Sequence, residues 1–250
     1  MLPNPILKVL STLTTHQVRY LLMGGQACVL YGAAQFSRDT DLCISLMSAD
    51  HERLAAALGE LRAPSIAVPP FDWEYLKRGH ALHFRCEHPE AIDQRIDVMA
   101  VMRGVAPFEE LWSRRTTIEG ADGLSIDALA LPDLVLAKKT QRDKDWPMIR
   151  RLVESHYAGH RSKPTPEQVQ FWLRECRTAE LLLDIAKKHS MQIGVVLPSR
   201  PLLSLMSDDN LEPLIAALEA EEKRERDSDR AYWIPLKKEL EQMRHRRNTE

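Results

Sequence analysis

The sequence predicts an α/β (α+β) fold, in which a domain of strands and helices (residues 1–160) precedes a helical C-terminal region (residues 161–250). Residues 18–23 form an apolar segment, and residues 37–46 alternate between polar and apolar side chains, as strands do. A polar, turn-rich stretch at 159–166 follows, and beyond it every periodic segment is helical. The change in pattern at this stretch indicates the boundary between the two parts.

Length and composition are those of an ordinary globular protein. The chain has 250 residues, of which 44% are hydrophobic and 28% charged, enough to bury a core without disulfides or metals. The net charge of -2 provides no global attraction to nucleic acid. The four cysteines contain no C-x-x-C pair, which suits a reducing compartment, so we expect a cytoplasmic protein.

One uncharged run, residues 20–37, has the length at which a membrane helix becomes feasible. It contains three glycines and two glutamines and is only mildly apolar. The first five residues, Met-Leu-Pro-Asn-Pro, lack the basic and small-residue pattern of a signal peptide. We therefore expect neither a membrane segment nor secretion, and interpret the run as buried structure around a glycine turn.

The elements of the N-terminal domain follow from local patterns. Helices are predicted at residues 5–15, at 26–31 beginning at a double glycine, at 48–61 with Ser48 as its cap, at 132–141 opening with a proline, and at 146–157. Strands are predicted at 18–23, 37–46, 81–86 and 94–102, and by weaker patterns at 114–118 and 124–130, with a loop at 64–70.

The C-terminal region is predicted to be entirely helical. Thr165 and Gln168 have the spacing of a capping box at the start of a helix. The predicted helices span residues 167–189, 202–206, 210–226 and 229–246. The many mixed charges near the C-terminus are interpreted as a solvated helical face.

Two carboxylates, Asp39 and Asp41, form a D-x-D pattern in the alternating segment 37–46. Residues two apart on a strand face the same side, so both side chains are expected to project together. Such a pair suits Mg²⁺, which takes oxygen ligands from one or two carboxylates and from substrate phosphates. The alternative is an edge strand whose polar face contacts water.

Asp97 is a lone acid in the centre of the apolar strand predicted at 94–102. On a neighbouring strand it would complete a site of three carboxylates. Such a site can bind two metal ions and align an in-line displacement at phosphorus, which is two-metal catalysis. The alternative is a salt bridge from Asp97 to Arg95 or Arg85.

A glycine pair, Gly24-Gly25, lies between the first predicted strand and the following short helix. Glycines at such a turn let backbone N–H groups approach an anion, and the helix N-terminus adds positive potential. The alternative is an ordinary tight turn. The phosphate-binding interpretation of the glycine pair is strengthened because the D-x-D pattern follows shortly after it.

Three histidines and a cysteine lie close together in the sequence around the strand predicted at 81–86. His80, His83, Cys86 and His88 could suggest zinc, but alternate strand positions face opposite sides, so we do not expect them to converge. His83 and Arg85 do share a face and are expected to line a cleft.

Residues 138–163 form a local basic patch, interpreted either as a solvated surface or as a contact for triphosphate or RNA.

Together these residues resemble the nucleotidyltransferase fold of the DNA polymerase beta superfamily. Within it, they are most similar to bacterial nucleotidyltransferase-like proteins that include toxins of toxin–antitoxin pairs. The resemblance covers residues 18–155 and is carried by Gly24-Gly25-Gln-Ala, Gly32, Ser37-Arg-Asp39-Thr-Asp41, Arg95-Ile-Asp97 and the spaced pair Lys138 and Arg142. Gln35 and Ser37 stand where the family usually has Arg and Thr.

The resemblance implies a mixed sheet with helices on one side and the transfer of a nucleoside monophosphate from a triphosphate such as ATP. The cofactor would be Mg²⁺, with Mn²⁺ as the other candidate. Asp39 and Asp41 would be metal ligands, and Asp97 would be the third carboxylate, which also helps to deprotonate the acceptor hydroxyl.

The substrate-binding residues implied by the resemblance surround these carboxylates. Gly24 and Gly25 would contact the triphosphate, with Ser37 and Arg38 beside them. Two further residues, Lys138 and Arg142, would contact the phosphates or the acceptor. The acceptor would be RNA, a protein or a small molecule, and an antitoxin-like protein is a candidate partner.

Two other functions use the same features. A non-catalytic member of the fold would bind a nucleotide or a protein partner without transferring anything. A two-metal phosphodiesterase uses similar carboxylates, but it cleaves nucleotides and does not release pyrophosphate.

Overall fold

The computed structural model describes residues 4–120, 123–207 and 210–249. It consists of a mixed six-stranded sheet, many helices and a long C-terminal helix, which confirms the predicted α/β class. The residues Met1-Leu-Pro, on which the expectation of no signal peptide partly rests, lie outside the described residues.

The sheet has the strand order β3-β4-β2-β1-β6-β5, and all six predicted strand segments are confirmed. The strands are β1 (Tyr20–Met23), β2 (Thr40–Ile44), β3 (Leu82–Arg85), β4 (Arg95–Met99), β5 (Thr116–Glu119) and β6 (Ser125–Ala128). The pairs β2–β4 and β1–β6 are parallel, and the pairs β1–β2, β3–β4 and β5–β6 are antiparallel. The mixed sheet implied by the family resemblance is therefore present.

The described ranges, 4–120, 123–207 and 210–249, contain eleven α-helices. They are α1 (Asn4–Thr15), α2 (Gly24–Leu30), α3 (Ser48–Glu60), α4 (Trp73–Lys77), α5 (Phe108–Ser113), α6 (Leu131–Ala137), α7 (Asp145–His160), α8 (Pro166–Glu175), α9 (Ala179–Lys188), α10 (Ser190–Val196) and α11 (Leu211–Thr249). Short 3₁₀ helices lie at Pro89–Ala91 and Pro201–Ser207. Within the described ranges, no helix has both the length and the apolar character needed to cross a bilayer.

Contacts divide the chain into two compact units. The first comprises Met1–Ala137 and Tyr232–Glu250, and the second comprises Lys138–Ala231. The first unit contains the whole sheet, and the second is helical. The domain boundary expected at residue 160 stays a prediction.

Strand β2 lies in the interior of the sheet and is held by the core of the first unit. Strand β2 is third in the sheet order and pairs on both sides, so the edge-strand alternative is wrong. Leu42, Cys43 and Ile44 are all fully buried. Both faces of the strand are therefore covered in its second half, and only its first residues can carry polar groups toward a cleft.

Several predicted boundaries are wrong in the first unit. Strand β2 begins at Thr40, so residues 37–39 precede it as a loop. Ser48 is the first residue of α3 and not its cap; Met47 is the cap residue, without a side-chain hydrogen bond. Helix α4 was not predicted, because its five residues are too short to give a periodic pattern.

The helix predicted to run to residue 141 ends at Ala137. In the segment that follows, the Asp145 carboxylate accepts hydrogen bonds from the side chains of Lys138, Thr140 and Arg142. Such side-chain bonds compete with continued helical structure. The segment therefore ends one helix and leads into α7.

The helices of the second unit differ from the predicted ones at two of their boundaries. The helix expected at 167–189 is interrupted, because the buried Arg200 guanidinium donates to the carbonyls of Leu173 and Cys176 at 2.8 and 2.9 Å. Those bonds satisfy carbonyl groups left open where α8 ends. The capping box of Thr165 and Gln168 at the start of α8 is confirmed.

The two helices predicted at 210–226 and 229–246 are one continuous helix, α11. Glycine and proline are absent from the predicted join, residues 227 and 228. Ion pairs at helical spacing, Arg226 with Glu222 and Arg230 with Asp227, support the helix on both sides of that join. Helix α10 was not predicted and follows α9 directly.

Within the first unit, Glu239 on α11 contacts two residues that lie just before β3. Its carboxylate contacts Nε2 of the fully buried His80 at 2.6 Å and pairs with Arg78 at 2.5 Å. The other ring nitrogen of His80 has no hydrogen-bond partner among the described residues. Glu239 is therefore the one described partner that satisfies a polar group of this buried ring.

We predict that Glu239→Ala lowers the free energy of unfolding by about 1–3 kcal/mol, the cost of leaving a buried polar group unsatisfied. The measurement is equilibrium unfolding in urea. Glu241→Ala, which removes an exposed carboxylate two residues further along the same helix, is the control and should change stability by less than about 0.5 kcal/mol. Equal effects of the two variants would show that the His80 contact does not matter.

Candidate active site

The register of β2 on β4 brings two of the predicted carboxylates together. Asp41 is the direct partner of Asp97 in this parallel pair, and both side chains are partly buried. Direct partners project from the same face of a sheet, a few ångströms apart. Two carboxylates far apart in sequence thus occupy neighbouring positions on one face.

Asp39, the third predicted carboxylate, lies in the bend just before β2. Its negative charge still acts on Arg95, the residue that is bonded to Asp97. The pKa of the Arg95 guanidinium is raised, mainly by its hydrogen bond to Asp97 and further by the charges of Asp39 and Asp41. All three carboxylates therefore contribute to the electrostatic field around one arginine.

The glycine pair is packed against these residues. Gly24 has a φ of +63°, and a Cβ at this position would overlap the carboxylate of Asp41. A Cβ on Gly25 would overlap the hydroxyl of Ser37, and the Gly25 N–H donates to Asp41 Oδ2 at 3.3 Å. A side chain at Gly24 would therefore have to displace the Asp41 carboxylate, and one at Gly25 would have to displace the Ser37 hydroxyl.

The loop before β2 is held at two carbonyls. The buried Gln26 side chain donates to the carbonyl of Ser37 at 2.6 Å. The side chain of Gln94 donates to the carbonyl of Arg38 at 2.7 Å and to the hydroxyl of Thr40 at 3.1 Å. These bonds fix the path of the chain through Ser37 and Arg38, two of the predicted substrate-binding residues.

Asp97 has two basic neighbours. His83 Nδ1 and Arg95 Nε lie 2.8 Å from its Oδ1 atom. Burial raises the pKa of the Asp97 carboxyl, but hydrogen bonds from His83 and Arg95 outweigh that effect, and the pKa lies below its ordinary value. Asp97 is therefore ionised at neutral pH, the form that can hold a cation or accept a proton.

The salt bridge with Arg95, considered from the sequence as an alternative, is thus present. It leaves part of the carboxylate accessible. Within the described part of the chain, Oδ2 of Asp97 accepts no hydrogen bond. The second oxygen is consequently available to another ligand.

The predicted phosphate contacts Lys138 and Arg142 belong to the second unit. Lys138 Nζ lies 3.1 Å from one oxygen of the buried Asp145, and Arg142 Nε lies 2.8 Å from the other. Both cations share this one carboxylate. Their contact with a triphosphate or an acceptor stays a prediction.

The residues of the His/Cys group have separate surroundings. His80 contacts Glu239, His83 contacts Asp97, and Cys86 is buried with a pKa raised by burial to about 11. A thiol in that state is a poor metal ligand, because metals bind the thiolate.

The carboxylates fit a hard divalent cation of the kind the family resemblance implies. In the described ranges, no three His, Cys, Asp or Glu side chains are grouped to hold a metal by themselves. Mg²⁺, however, takes one or two carboxylates and completes its shell with water and substrate phosphates. Asp41 and Asp97 supply that number of carboxylates.

Comparison with known proteins gives few matches. No protein-family model and no curated protein matches the chain. A proposed nucleotidyltransferase from H. pylori is similar in structure, with a TM-score of 0.39, 14% identity, and coverage of 90% of this chain and 94% of that one. JHP933 from Helicobacter pylori gives a TM-score of 0.36 and 16% identity, over 100% of this chain and 99% of the other. Both TM-scores lie below 0.5, so the function has to be argued from the site's own residues.

We predict that Gly24→Ala destabilises the protein more than Gly104→Ala. Both glycines have positive φ values, +63° and +71°, so an added Cβ introduces strain of about 1–2 kcal/mol at each. Only at Gly24 would the Cβ also overlap Asp41, whereas at Gly104 it would enter open space. Overpacking of this kind costs about 1–3 kcal/mol more.

Urea denaturation of both variants measures this difference. The matched backbone strain cancels in the comparison, so the remaining effect reports the contact with Asp41. Identical losses of stability would contradict the close packing of the glycine turn against the carboxylate.

A pH-dependent contribution is predicted for Asp97. Its folded-state pKa lies below the ordinary value of 3.8, so its charge stabilises the folded state above that pH, and the contribution is lost as the pH falls through the folded-state pKa. The stability difference between the wild type and Asp97→Asn should be largest near neutral pH and should shrink below about pH 4. Urea midpoints measured from pH 7 to pH 3 test this, and a difference that grows on acidification would contradict it.

Proposed function

We propose that the chain is a Mg²⁺-dependent nucleotidyltransferase that moves a nucleoside monophosphate from a nucleoside triphosphate to the hydroxyl group of an acceptor. The proposal rests on the direct pairing of Asp41 with Asp97 beside the turn at Gly24 and Gly25. Carboxylates for a metal and a helix start for phosphates are the two requirements of this chemistry, and here they adjoin.

The charges around the site support an ionic substrate. Three carboxylates act on Arg95, and Asp97 is kept ionised by Arg95 and His83. Partly buried carboxylates in such number are costly unless cations compensate them. A bound divalent cation would compensate negative charge on these carboxylates.

The reaction itself needs little covalent chemistry from the protein. The acceptor oxygen forms a bond to the α-phosphorus, the bond from that phosphorus to the bridging oxygen breaks, and pyrophosphate leaves with the electron pair. Asp97 accepts the hydroxyl proton, the role that the family resemblance implies. Gly24 and Gly25 offer the N-terminus of α2 to the phosphates, where backbone N–H groups and the helix dipole favour negative charge.

Asp41 and Asp97 would hold Mg²⁺, and Asp39, in the bend just before β2, is the third ligand that the family resemblance implies. Bound there, Mg²⁺ supplies neutralisation of the charge that develops on the phosphate oxygens. Hydrogen bonds from the side chains of Gln26 and Gln94 fix the loop of Ser37 and Arg38, which leads into Asp39 and Asp41.

One observation favours a second candidate, a non-catalytic protein that binds a nucleotide or a partner. Asp97 already has a salt bridge to Arg95 and a contact with His83, so part of its charge is compensated without any metal. In that case calorimetry would detect binding of Mg²⁺-nucleotide, but pyrophosphate would never be released.

We predict that Asp41→Asn and Asp97→Asn each lower nucleotide transfer at least about 100-fold, because removing a catalytic electrostatic group typically costs about that much. The assay supplies labelled ATP, CTP, GTP and UTP with Mg²⁺ and either bulk RNA or cell lysate. It follows both transfer of label and release of pyrophosphate.

Asp93→Asn serves as the matched control. Asp93 is exposed and has a φ of +60°, a conformation that Asn tolerates, so this variant should transfer normally. Transfer that persists in the Asp41 and Asp97 variants would refute the catalytic role. Nucleotide cleavage without pyrophosphate would instead indicate a phosphodiesterase.

A further inference from the structure

Four strands place the candidate residues in a line across one face of the sheet. In this half of the sheet the strand order is β1, β2, β4, β3. The line therefore runs from Gly24, directly after β1, through Asp41 on β2 and Asp97 on β4, to His83 on β3. The glycine turn lies at one end of the line, and the edge strand lies at the other.

This order assigns a side to each reactant, on the basis of the proposed function. In an in-line displacement, the attacking and leaving groups occupy opposite sides of the phosphorus. Pyrophosphate is the leaving group, and the glycine turn is where its oxygens are held. The acceptor hydroxyl therefore approaches from the opposite side, over Asp97 and β3.

The acceptor side carries an unusual pair of like charges. Arg85 on β3 is the direct cross-strand partner of Arg95 on β4, and both lie on the same face as the pair His83 and Asp97. Like charges directly opposite each other destabilise a sheet. Without a further partner, this pair is a cost to the fold.

The two arginines differ in what compensates them. Arg95 is bonded to Asp97. Arg85 is exposed, and within residues 4–120, 123–207 and 210–249 its side chain has no hydrogen bond or ion pair. One guanidinium thus remains unpaired beside the position from which the acceptor arrives.

We infer that Arg85, together with Arg95, forms a subsite for a phosphate group of the acceptor. The acceptor is then a hydroxyl compound that carries a phosphate near the reacting hydroxyl. A nucleic acid with a terminal hydroxyl and a phosphorylated small molecule share this chemistry. A protein hydroxyl does not.

The test measures binding of a short single-stranded RNA with a free 3′-hydroxyl, by fluorescence anisotropy. A second probe has the same sequence, but its last phosphodiester is replaced by a neutral methylphosphonate. The wild type should bind the charged probe about tenfold more tightly, since a hydrogen bond between ionised groups contributes about that factor. Arg85→Ala, which leaves only the Arg95 already bonded to Asp97, should lose most of this difference, and Arg85→Lys should recover part of it.

Arg53→Ala removes an equal charge from a partly exposed position on α3 and is the control. It should keep the wild-type preference for the charged probe. A preference that persists in Arg85→Ala overturns the subsite. Competition by a nucleoside 5′-monophosphate at similar concentration supports the subsite with a small phosphorylated acceptor, and failure to compete supports it with a polynucleotide.

Calorimetry with Mg²⁺-ATP separates this inference from the proposed function. Nucleotide binding and transfer without any preference between the two probes would overturn the subsite and leave the transferase intact. Absence of nucleotide binding and of transfer would overturn both. The Arg85→Ala variant should bind Mg²⁺-ATP as the wild type does, because the triphosphate is held at the other end of the line.

Discussion

The parallel pairing of β2 with β4 is the constraint on which the rest of the candidate site depends. In this register Asp41 and Asp97 are direct partners on one face of the sheet. A slip by one residue would turn one of the carboxylates to the opposite face. The buried residues Leu42 and Val98, partners one position further along, hold the register because their own burial depends on it.

The glycine turn and the basic neighbours of Asp97 are the other two parts of the candidate site. At one end, the backbone at Gly24 packs against Asp41 so closely that a Cβ would overlap its carboxylate. At the other, His83 and Arg95 keep Asp97 ionised. The site thus combines a glycine turn, a pair of carboxylates and two arginines at the edge of the sheet, in the order in which a triphosphate, a metal and a phosphorylated acceptor would be needed.

Much of this arrangement could be predicted from the sequence, because period-two patterns reveal strands and their faces. They located β2 and β4 and the acids on them. Sequence could not show that β2 starts only at Thr40, that helix α8 ends where Arg200 binds its carbonyls, or that Gln26 and Gln94 hold the loop before β2. Those features depend on contacts between distant residues, for which a buried glutamine or arginine gives no periodic signal.

A crystal structure with Mg²⁺ and a non-hydrolysable nucleoside triphosphate would show whether Asp41 and Asp97 hold the metal. The proposed function predicts a metal ion about 2.0–2.1 Å from carboxylate oxygens of both Asp41 and Asp97. It also predicts phosphate oxygens at the backbone of Gly24 and Gly25. Phosphates bound elsewhere, with no metal at Asp41 and with Asp97 bonded only to Arg95 and His83, would contradict it.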